Sequence, residues 1–114
     1  MLYLEFDNVK MPALGFGTWQ LSGKECVKAV RTALDIGYRH IDTAQIYANE
    51  EEVGTAIAES KIPRDELFVT TKIWMENARS AKVKSSAAES LKKLKLDHVD
   101  LLLLHWPVKE VPLE

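Results

Sequence analysis

The stretch Arg39-His40-Ile41-Asp42-Thr43 has the alternation of a β-strand and lies between two segments with helical periodicity. The segment before it, residues 24–36, has an apolar face at helical spacing and is followed by Gly37, a typical helix stop. The segment after it, residues 50–60, opens with three glutamates, whose charges favour a helix N-terminus. A helix, a strand and a second helix are therefore predicted in succession.

The same alternation extends in both directions along the chain. The spacing predicts strands over 15–18, 67–73 and 99–105, a third helix over 80–94, and a hairpin of 2–6 and 9–12 that turns at Asp7-Asn8. The last strand contains the continuous apolar run Leu101 to Leu104, which is typical of a strand covered on both faces. Strict βα alternation implies parallel strands with right-handed crossovers, a pattern that an open doubly wound sheet and a β/α barrel both satisfy.

The composition is typical of an ordinary globular protein. The chain has 114 residues, of which 46% are hydrophobic and 28% charged, with a formal net charge of −2, and this suits at most one domain. The balance of 15 basic against 17 acidic residues argues against nucleic-acid binding. The apolar runs are far shorter than the about 18 residues that a membrane span needs. A single cysteine, Cys26, and an N-terminus without a secretory pattern predict a cytoplasmic protein.

Three of the predicted strands finish on a side chain that is costly to bury: Asp42, Lys72 and His105. In a β/α barrel the carboxyl ends of the strands converge on one mouth, where catalytic groups gather. An acid, a base and an imidazole from successive units therefore favour the barrel and an active site there. The alternative is a buried Asp42–Lys72 ion pair beside a structural histidine.

Tyr47 follows Asp42 by five residues and is expected to reach the same mouth. An ammonium such as that of Lys72 stabilises a neighbouring phenolate, and Asp42 would keep that ammonium charged and in position. The phenol then becomes a general acid, as the reduction of a carbonyl requires when a hydride reaches its carbon.

Trp19, Trp74 and Trp106 all fall just beyond predicted strand ends, at the same rim. Aromatic walls with a few polar groups describe a small-molecule pocket. The alternative is that these indoles simply roof the barrel core.

Two other motifs are rejected. The Gly15-x-Gly17 pair lacks the third glycine of a dinucleotide-binding loop. His40, Asp42 and His105 resemble part of a metal site, but the sequence offers no fourth ligand, so no metal is expected.

Four segments of the chain are similar to the N-terminal portion of aldo-keto reductases, and together they span nearly all of it. The first is Gly37-Tyr38-Arg39-His40-Ile41-Asp42-Thr43-Ala44 with Tyr47 and residues 50–54; the others are residues 11–19, 71–74 and 100–107. This resemblance implies a (β/α)₈ barrel of the TIM type, an α/β fold, and NAD(P)H-dependent reduction of an aldehyde or ketone.

The resemblance also implies roles for individual residues. Tyr47 would be the proton donor, Lys72 and Asp42 would tune it, and His105 would orient the carbonyl oxygen. The nicotinamide end of NADPH or NADH would lie near Gly17, Thr18, Trp19 and Asp42. The carbonyl substrate would lie among Trp19, Tyr47, Trp74, His105 and Trp106.

A complete barrel of this type takes about 250 residues, whereas the 114 residues here supply a hairpin and about four of eight strands. Residues 1–114 are therefore expected to form the N-terminal half of one barrel domain, with most of the cofactor site in later segments. The alternative function is an inactive half-barrel whose exposed sheet edges pair with a second copy or another chain.

Overall fold

The computed structural model describes residues 1–109 and 111 and consists of a hairpin followed by alternating strands and helices. The hairpin strands are β1 (Tyr3–Phe6) and β2 (Val9–Pro12). The parallel strands of the described part are β3 (Gly15–Gly17), β4 (His40–Asp42), β5 (Phe68–Ile73) and β6 (Leu101–Leu104). Its α-helices are α1 (Gly23–Asp35), α2 (Glu50–Ser60) and α3 (Ser80–Leu94). Short 3₁₀ turns cover Gln45–Tyr47, Arg64–Glu66 and Met75–Asn77.

The order of the parallel strands decides between the two folds that the sequence leaves open. The strands lie side by side as β3-β4-β5-β6, which is their order in the chain. A doubly wound sheet reverses its strand order at a switch point, and there is no such reversal among the described strands. The architecture is therefore a hairpin plus parallel βα units of a partial β/α barrel.

Local sequence explains where the first helix ends. Gly37, just beyond α1, has a φ of +114°, which a residue with a Cβ rarely adopts. The Gly37 N–H donates to the Leu34 carbonyl at 3.2 Å and the Tyr38 N–H donates to the Ala33 carbonyl at 2.9 Å. These two bonds form a Schellman motif, which satisfies carbonyls at the end of the helix and turns the chain into β4.

The core lies between the sheet and the helices, where α1 packs against α2 and α2 against α3. Its central residues are Cys26, Val30, Leu34, Ile41, Val53, Ala56, Ile57, Leu67, Val69 and Leu94. Cys26 is fully buried in it, and burial, with a smaller effect of Glu52, raises the pKa of this thiol to about 11. Gly54 permits the close approach of α2 and α3, because a Cβ there would lie 2.5 Å from the Leu94 carbonyl oxygen.

An ion pair holds the two last strands together at their amino ends. Arg64 Nη2 lies 2.6 Å from Asp100 Oδ2, and the same carboxylate oxygen accepts the Val69 N–H at 2.8 Å. The Arg64 guanidinium also donates to the carbonyls of Leu67 and His98. This cluster fixes the register of β5 and β6 at the end of the sheet opposite the predicted site.

The prediction that β6 is covered on both faces is wrong for the described part of the chain. Leu102, Leu103 and Leu104 are each exposed by 40% or slightly more. The reason is position: β6 is an edge strand of the sheet, hydrogen-bonded to β5 on one side only within the described residues. The apolar run thus indicates that this strand favours burial, but it does not specify which element would cover it.

Among the described residues, no helix has both the length and the apolar character required to traverse a bilayer.

Candidate active site

The four side chains predicted to form the acid–base group lie together at the carboxyl end of the sheet. Asp42 is the last residue of β4, Lys72 lies near the end of β5, and His105 directly follows β6. Tyr47 ends the 3₁₀ turn Gln45–Tyr47, which connects β4 to α2. Because parallel strands present their carboxyl ends at one edge, three successive βα units supply the group.

Lys72 is the centre of this group. Its ammonium lies 2.8 Å from Asp42 Oδ1, 3.1 Å from the Thr43 carbonyl oxygen and 3.3 Å from Tyr47 Oη. A lysine ammonium has three N–H donors and no acceptor, so these contacts use all of them. Two bonds hold the ammonium and the third is donated to the phenol oxygen, which leaves the phenol proton available to another acceptor.

The degree of burial suits an electrostatic role for Lys72. Its side chain is 14% exposed, and that of Asp42 is 36% exposed. A partly buried charge pair interacts more strongly than a fully exposed pair on the surface. The ammonium also lies 5.0 Å from the centroid of the Tyr47 ring, so it is close to the phenol both along the hydrogen bond and over the ring.

His105 is held by aromatic rings. Its ring centroid lies 5.8 Å from that of Tyr47 and 5.4 Å from that of Trp74, both nearly at right angles, and it stacks on Trp106 at 6.1 Å. Desolvation, and to a lesser degree the charge of Lys72, lower the pKa of His105, while Asp42 opposes the shift. The imidazole is therefore mainly neutral at pH 7, and a neutral imidazole has one N–H donor and one acceptor nitrogen.

The residues predicted to contact a cofactor lie at the carboxyl end of β3, just beyond it, and at the carboxyl end of β4. A Cβ added at Gly17 would meet no atom within 4 Å, so the backbone at the end of β3 is open. Trp19 is 67% exposed and Trp106 is 58% exposed, whereas Trp74 is half-buried against His105. Thr18 is fully buried, and both its N–H and its hydroxyl donate to the Asp42 carbonyl, at 3.0 and 3.2 Å. Its side chain therefore acts on the site through Asp42.

Asn49 connects two segments that carry site residues, and the sequence analysis did not predict this role. It is fully buried, and its amide donates to the carbonyls of Thr18 and Leu21 at 2.8 and 3.0 Å. Its Oδ1 accepts the Thr43 hydroxyl at 2.7 Å. One side chain thus ties the loop after β3 to the end of β4. The available signal was an asparagine directly before the helix that the glutamate run predicts.

A second polar cluster consists of Gln45, which is half-buried, and of Glu50, Thr71 and Ser90, which are buried. Glu50 is only 3% exposed and accepts the hydroxyls of Thr71 and Ser90 at 2.7 and 3.2 Å. Gln45 donates to Ser90 Oγ at 3.1 Å. Glu50 was interpreted as part of a charged helix start, and no pattern in the sequence singles out Gln45, because its partners lie about 30 to 45 residues away.

The three residues considered for a metal site do not form one. His40 Nε2 lies 2.9 Å from the Thr70 hydroxyl, and its Nδ1 lies 3.4 Å from the Pro12 carbonyl. In residues 1–109 and 111, no group of three or more His, Cys, Asp or Glu side chains is arranged to hold a metal ion.

Comparison with known proteins identifies a family and individual relatives whose sequences are similar to this chain. The model of the aldo/keto reductase family matches residues 13–114. The chain is 57% identical over 97 residues to methylglyoxal reductase DkgB of Salmonella typhimurium, an alignment that covers 85% of the chain and 36% of that protein. It is 52% identical over 105 residues to glycerol 2-dehydrogenase (NADP(+)) of Saccharomyces cerevisiae, covering 92% of the chain and 33% of that protein.

Solved structures show the same likeness in three dimensions. An aldo/keto reductase from Brucella melitensis superposes with a TM-score of 0.91 at 47% identity, covering 94% of the chain and 41% of that structure. The aldose reductase from Schistosoma japonicum superposes with a TM-score of 0.90 at 40% identity, covering 95% of the chain and 38% of that structure. The chain thus spans between 33% and 41% of the length of these four relatives. This chain belongs to the aldo/keto reductase family.

Proposed function

We propose that this chain carries the proton-donating part of an NAD(P)H-dependent carbonyl reductase, with Tyr47 as the general acid. The observation that carries the proposal is the hydrogen bond from the Lys72 ammonium to Tyr47 Oη at 3.3 Å, made while the Asp42 carboxylate holds the same ammonium at 2.8 Å. A structural ion pair between Asp42 and Lys72 does not require the third contact to a phenol. This geometry therefore favours the catalytic interpretation over the structural one.

The proposed reaction converts an aldehyde or ketone to an alcohol. A reduced nicotinamide supplies the hydride when bound. As negative charge develops on the carbonyl oxygen, that oxygen takes the phenol proton of Tyr47, so one hydride and one proton are added. The charge left on the phenolate faces the Lys72 ammonium, and such preorganised charge lowers the barrier most where water is excluded. Asp42 keeps the ammonium oriented between turnovers.

His105 would orient the carbonyl oxygen as an N–H donor. The lowered pKa of its imidazole suits this role, because a neutral ring donates a hydrogen bond without competing with Tyr47 as the acid. The right-angle packing against Tyr47 and Trp74 would aim the ring toward the same point as the phenol. Trp74 and Trp106 would then form apolar walls around the substrate carbon.

The residues present fit a nicotinamide at the end of β3. The open backbone at Gly17 leaves room for a flat ring to approach closely, and Asp42 with the exposed Trp19 lies next to that opening. Gly17, Trp19 and Asp42 would hold this end of NADPH or NADH, with Thr18 fixing Asp42 from behind. Residues 1–114 would form the N-terminal part of one barrel domain, and the remaining cofactor contacts would come from the rest of the barrel.

The substrate proposed is a small aldehyde or ketone. Two relatives carry names that refer to methylglyoxal and to glycerol, which are small oxygenated molecules. Indole walls beside the Tyr47 phenol and the His105 imidazole suit the same class. We also propose that the protein is cytosolic and that neither nucleic acid nor a membrane is its partner.

The test measures NADPH consumption by the full-length protein with methylglyoxal and a series of aldehydes. Tyr47→Phe is expected to lower kcat by about 10²- to 10⁴-fold, the usual contribution of a general acid. NADPH binding, measured by fluorescence titration, should be retained. Tyr38→Phe is the matched control, since that phenol packs edge-on against Phe16, away from Lys72. Unchanged reduction in Tyr47→Phe would refute the assignment.

A second candidate is a non-catalytic chain that associates with a second copy of itself. The exposed side chains of β6 favour it, because an apolar edge strand pairs readily with another chain. Leu103→Glu would then convert a dimer of the 114-residue chain to a monomer in light scattering. A wild-type protein that is monomeric at all concentrations rules this candidate out.

A further inference from the structure

Gln45 uses every hydrogen-bonding position of its side-chain amide. Its Oε1 accepts the backbone N–H of Trp74 at 2.8 Å and the Asn77 amide at 3.0 Å. Its Nε2 donates to the Ser86 carbonyl at 3.2 Å and to Ser90 Oγ at 3.1 Å. A primary amide has two donors and two acceptor lone pairs, so this side chain is fully satisfied. It connects the Gln45–Tyr47 turn to the Met75–Asn77 turn and to α3.

The orientation of the amide is fixed by its partners. The Trp74 N–H can only donate, so it requires the oxygen of Gln45. The Ser90 hydroxyl donates its proton to Glu50 Oε1 at 3.2 Å, and a carboxylate only accepts. Ser90 Oγ must therefore accept from Gln45 Nε2, and the amide cannot reverse without losing both contacts. The buried Glu50 carboxylate thus fixes the Ser90 hydroxyl as an acceptor for the Gln45 amide.

This amide links the backbone segments that carry two rings of the site. Gln45 lies two residues before Tyr47 in the same turn, and its oxygen holds the backbone of Trp74. The rings of Tyr47 and Trp74 both stand nearly perpendicular to His105, at centroid distances of 5.8 and 5.4 Å. A change at Gln45 would alter the spacing of the phenol and the indole without touching either ring.

We propose that Gln45 is a positioning residue that sets the width of the substrate pocket between Tyr47 and Trp74, and thereby its preference for small over bulky carbonyls. This inference rests on the proposed reductase function. Gln45 contacts neither the reacting atoms nor the Lys72 ammonium, so its effect is on which aldehyde fits and not on proton transfer. Ser90 and Glu50 act through it by fixing the amide.

The first test measures hydrogen exchange at the Trp74 backbone amide in the full-length protein, labelled with ¹⁵N at tryptophan. Gln45→Met keeps the length of the side chain and removes all four bonds. Loss of the bond to Trp74 is expected to speed exchange of that amide about fivefold to tenfold. Ser90→Ala, which removes only the anchor of Nε2, should produce a smaller increase in the same direction and serves if Gln45→Met does not fold.

Arg64→Met is the matched control, because it removes a comparable set of hydrogen bonds at the opposite end of the same strands. It should destabilise the fold without a specific change at Trp74. If Arg64→Met speeds exchange at Trp74 as much as Gln45→Met does, Gln45 has only a general structural role and the proposal fails. It also fails if neither Gln45→Met nor Ser90→Ala changes the exchange rate of this amide.

The second test compares kcat/KM for methylglyoxal and for a bulky aromatic aldehyde. Gln45→Met is expected to change the ratio of the two values about fivefold, mainly through KM, while the dependence of kcat on pH stays that of the wild type. Equal losses for both aldehydes would overturn the proposal. Tyr47→Phe distinguishes the two possible failures, because it is expected to leave hydrogen exchange at the Trp74 amide unchanged. If Tyr47→Phe still reduces aldehydes as the wild type does, the reductase function fails, whereas the exchange measurements still test Gln45.

Discussion

The Lys72 ammonium donates its third hydrogen bond to Tyr47 Oη at 3.3 Å, after its other two bonds are used on Asp42 and the Thr43 carbonyl. The contact is longer than the ion pair at 2.8 Å, as expected for a neutral acceptor beside a charged one. It would shorten when the phenol loses its proton, because the phenolate then carries the charge that the ammonium attracts. The proposed acid, Tyr47, thus has a counter-charge already in place.

Lys72→Met removes that counter-charge and leaves an unbranched apolar side chain that is one atom shorter. We expect kcat for aldehyde reduction by the full-length protein to fall by about 100-fold or more, because the phenolate is left without a cation nearby. NADPH affinity should change little, since Lys72 faces Tyr47 and Asp42. Steady-state kinetics with a separate cofactor titration measures both quantities. A mutant that keeps wild-type kcat would show that Lys72 has only a structural role.

The imidazole of His105 is expected to titrate below its ordinary pKa of 6.5. Its shift can be followed by NMR, with His40→Gln and His98→Gln to assign the three histidines. Lys72→Met should raise the pKa of His105, because the ammonium lowers it, and Asp42→Asn should lower the pKa further. A fall in the pKa of His105 in Lys72→Met, or a rise in Asp42→Asn, would contradict the electrostatic account of the site.

The same shift has a consequence for stability. Because the folded protein binds this proton less readily than the unfolded chain, the free energy of unfolding should decrease as the pH falls below 6.5 and level off below the folded-state pKa of His105. In His105→Gln that part of the pH dependence should disappear. Urea unfolding across the acidic range measures it.

Gly54→Ala tests the close crossing of α2 and α3. Alanine is favoured over glycine in a helix by about 1 kcal/mol, yet its Cβ would lie 2.5 Å from the Leu94 carbonyl oxygen. Backbone must move to relieve that overlap, which costs about 1–3 kcal/mol or more, so we expect net destabilisation. Gly17→Ala is the control for stability, since its Cβ meets no atom within 4 Å. A Gly54→Ala protein more stable than wild type in urea would contradict this packing.

Asn49→Ala should destabilise the fold and loosen the site together. It removes three buried hydrogen bonds and leaves two carbonyls and the Thr43 hydroxyl without this partner. At about 1 kcal/mol for each bond, the free energy of unfolding measured in urea should fall by about 3 kcal/mol. Asn49→Asp keeps the acceptor but not the donors, so most of the loss should remain. A loss near zero would show that water replaces the amide.

Periodicity alone predicted the elements well. The predicted helices over 50–60 and 80–94 have the same bounds in the structure, and α1 is shifted by one residue. The hairpin turns at Asp7-Asn8, where both residues have positive φ, as a type I′ turn requires. These features depend on local spacing and turn chemistry, which can be recognised directly in the sequence.

Features that depend on distant partners could not be predicted in this way. The proximity of Asp42, Lys72 and His105 was predicted because each lies at the carboxyl end of a strand, and parallel strands bring these ends together. Gln45 and Asn49 have no such pattern, since their roles come from hydrogen bonds to other βα units. The exposure of Leu102 to Leu104 was missed for the same reason: an apolar run does not specify what covers it.

The chain-order arrangement of the strands also bears on how the molecule is assembled during synthesis. Each new strand pairs with the one made just before it, and the Lys72–Asp42 contact spans only 30 residues of chain. Contacts between successive units can be made progressively as a polypeptide leaves the ribosome. The Lys72–Tyr47 pair does not require β6 and can form before β6 is added to the sheet, and His105 would be the last of the four groups to join.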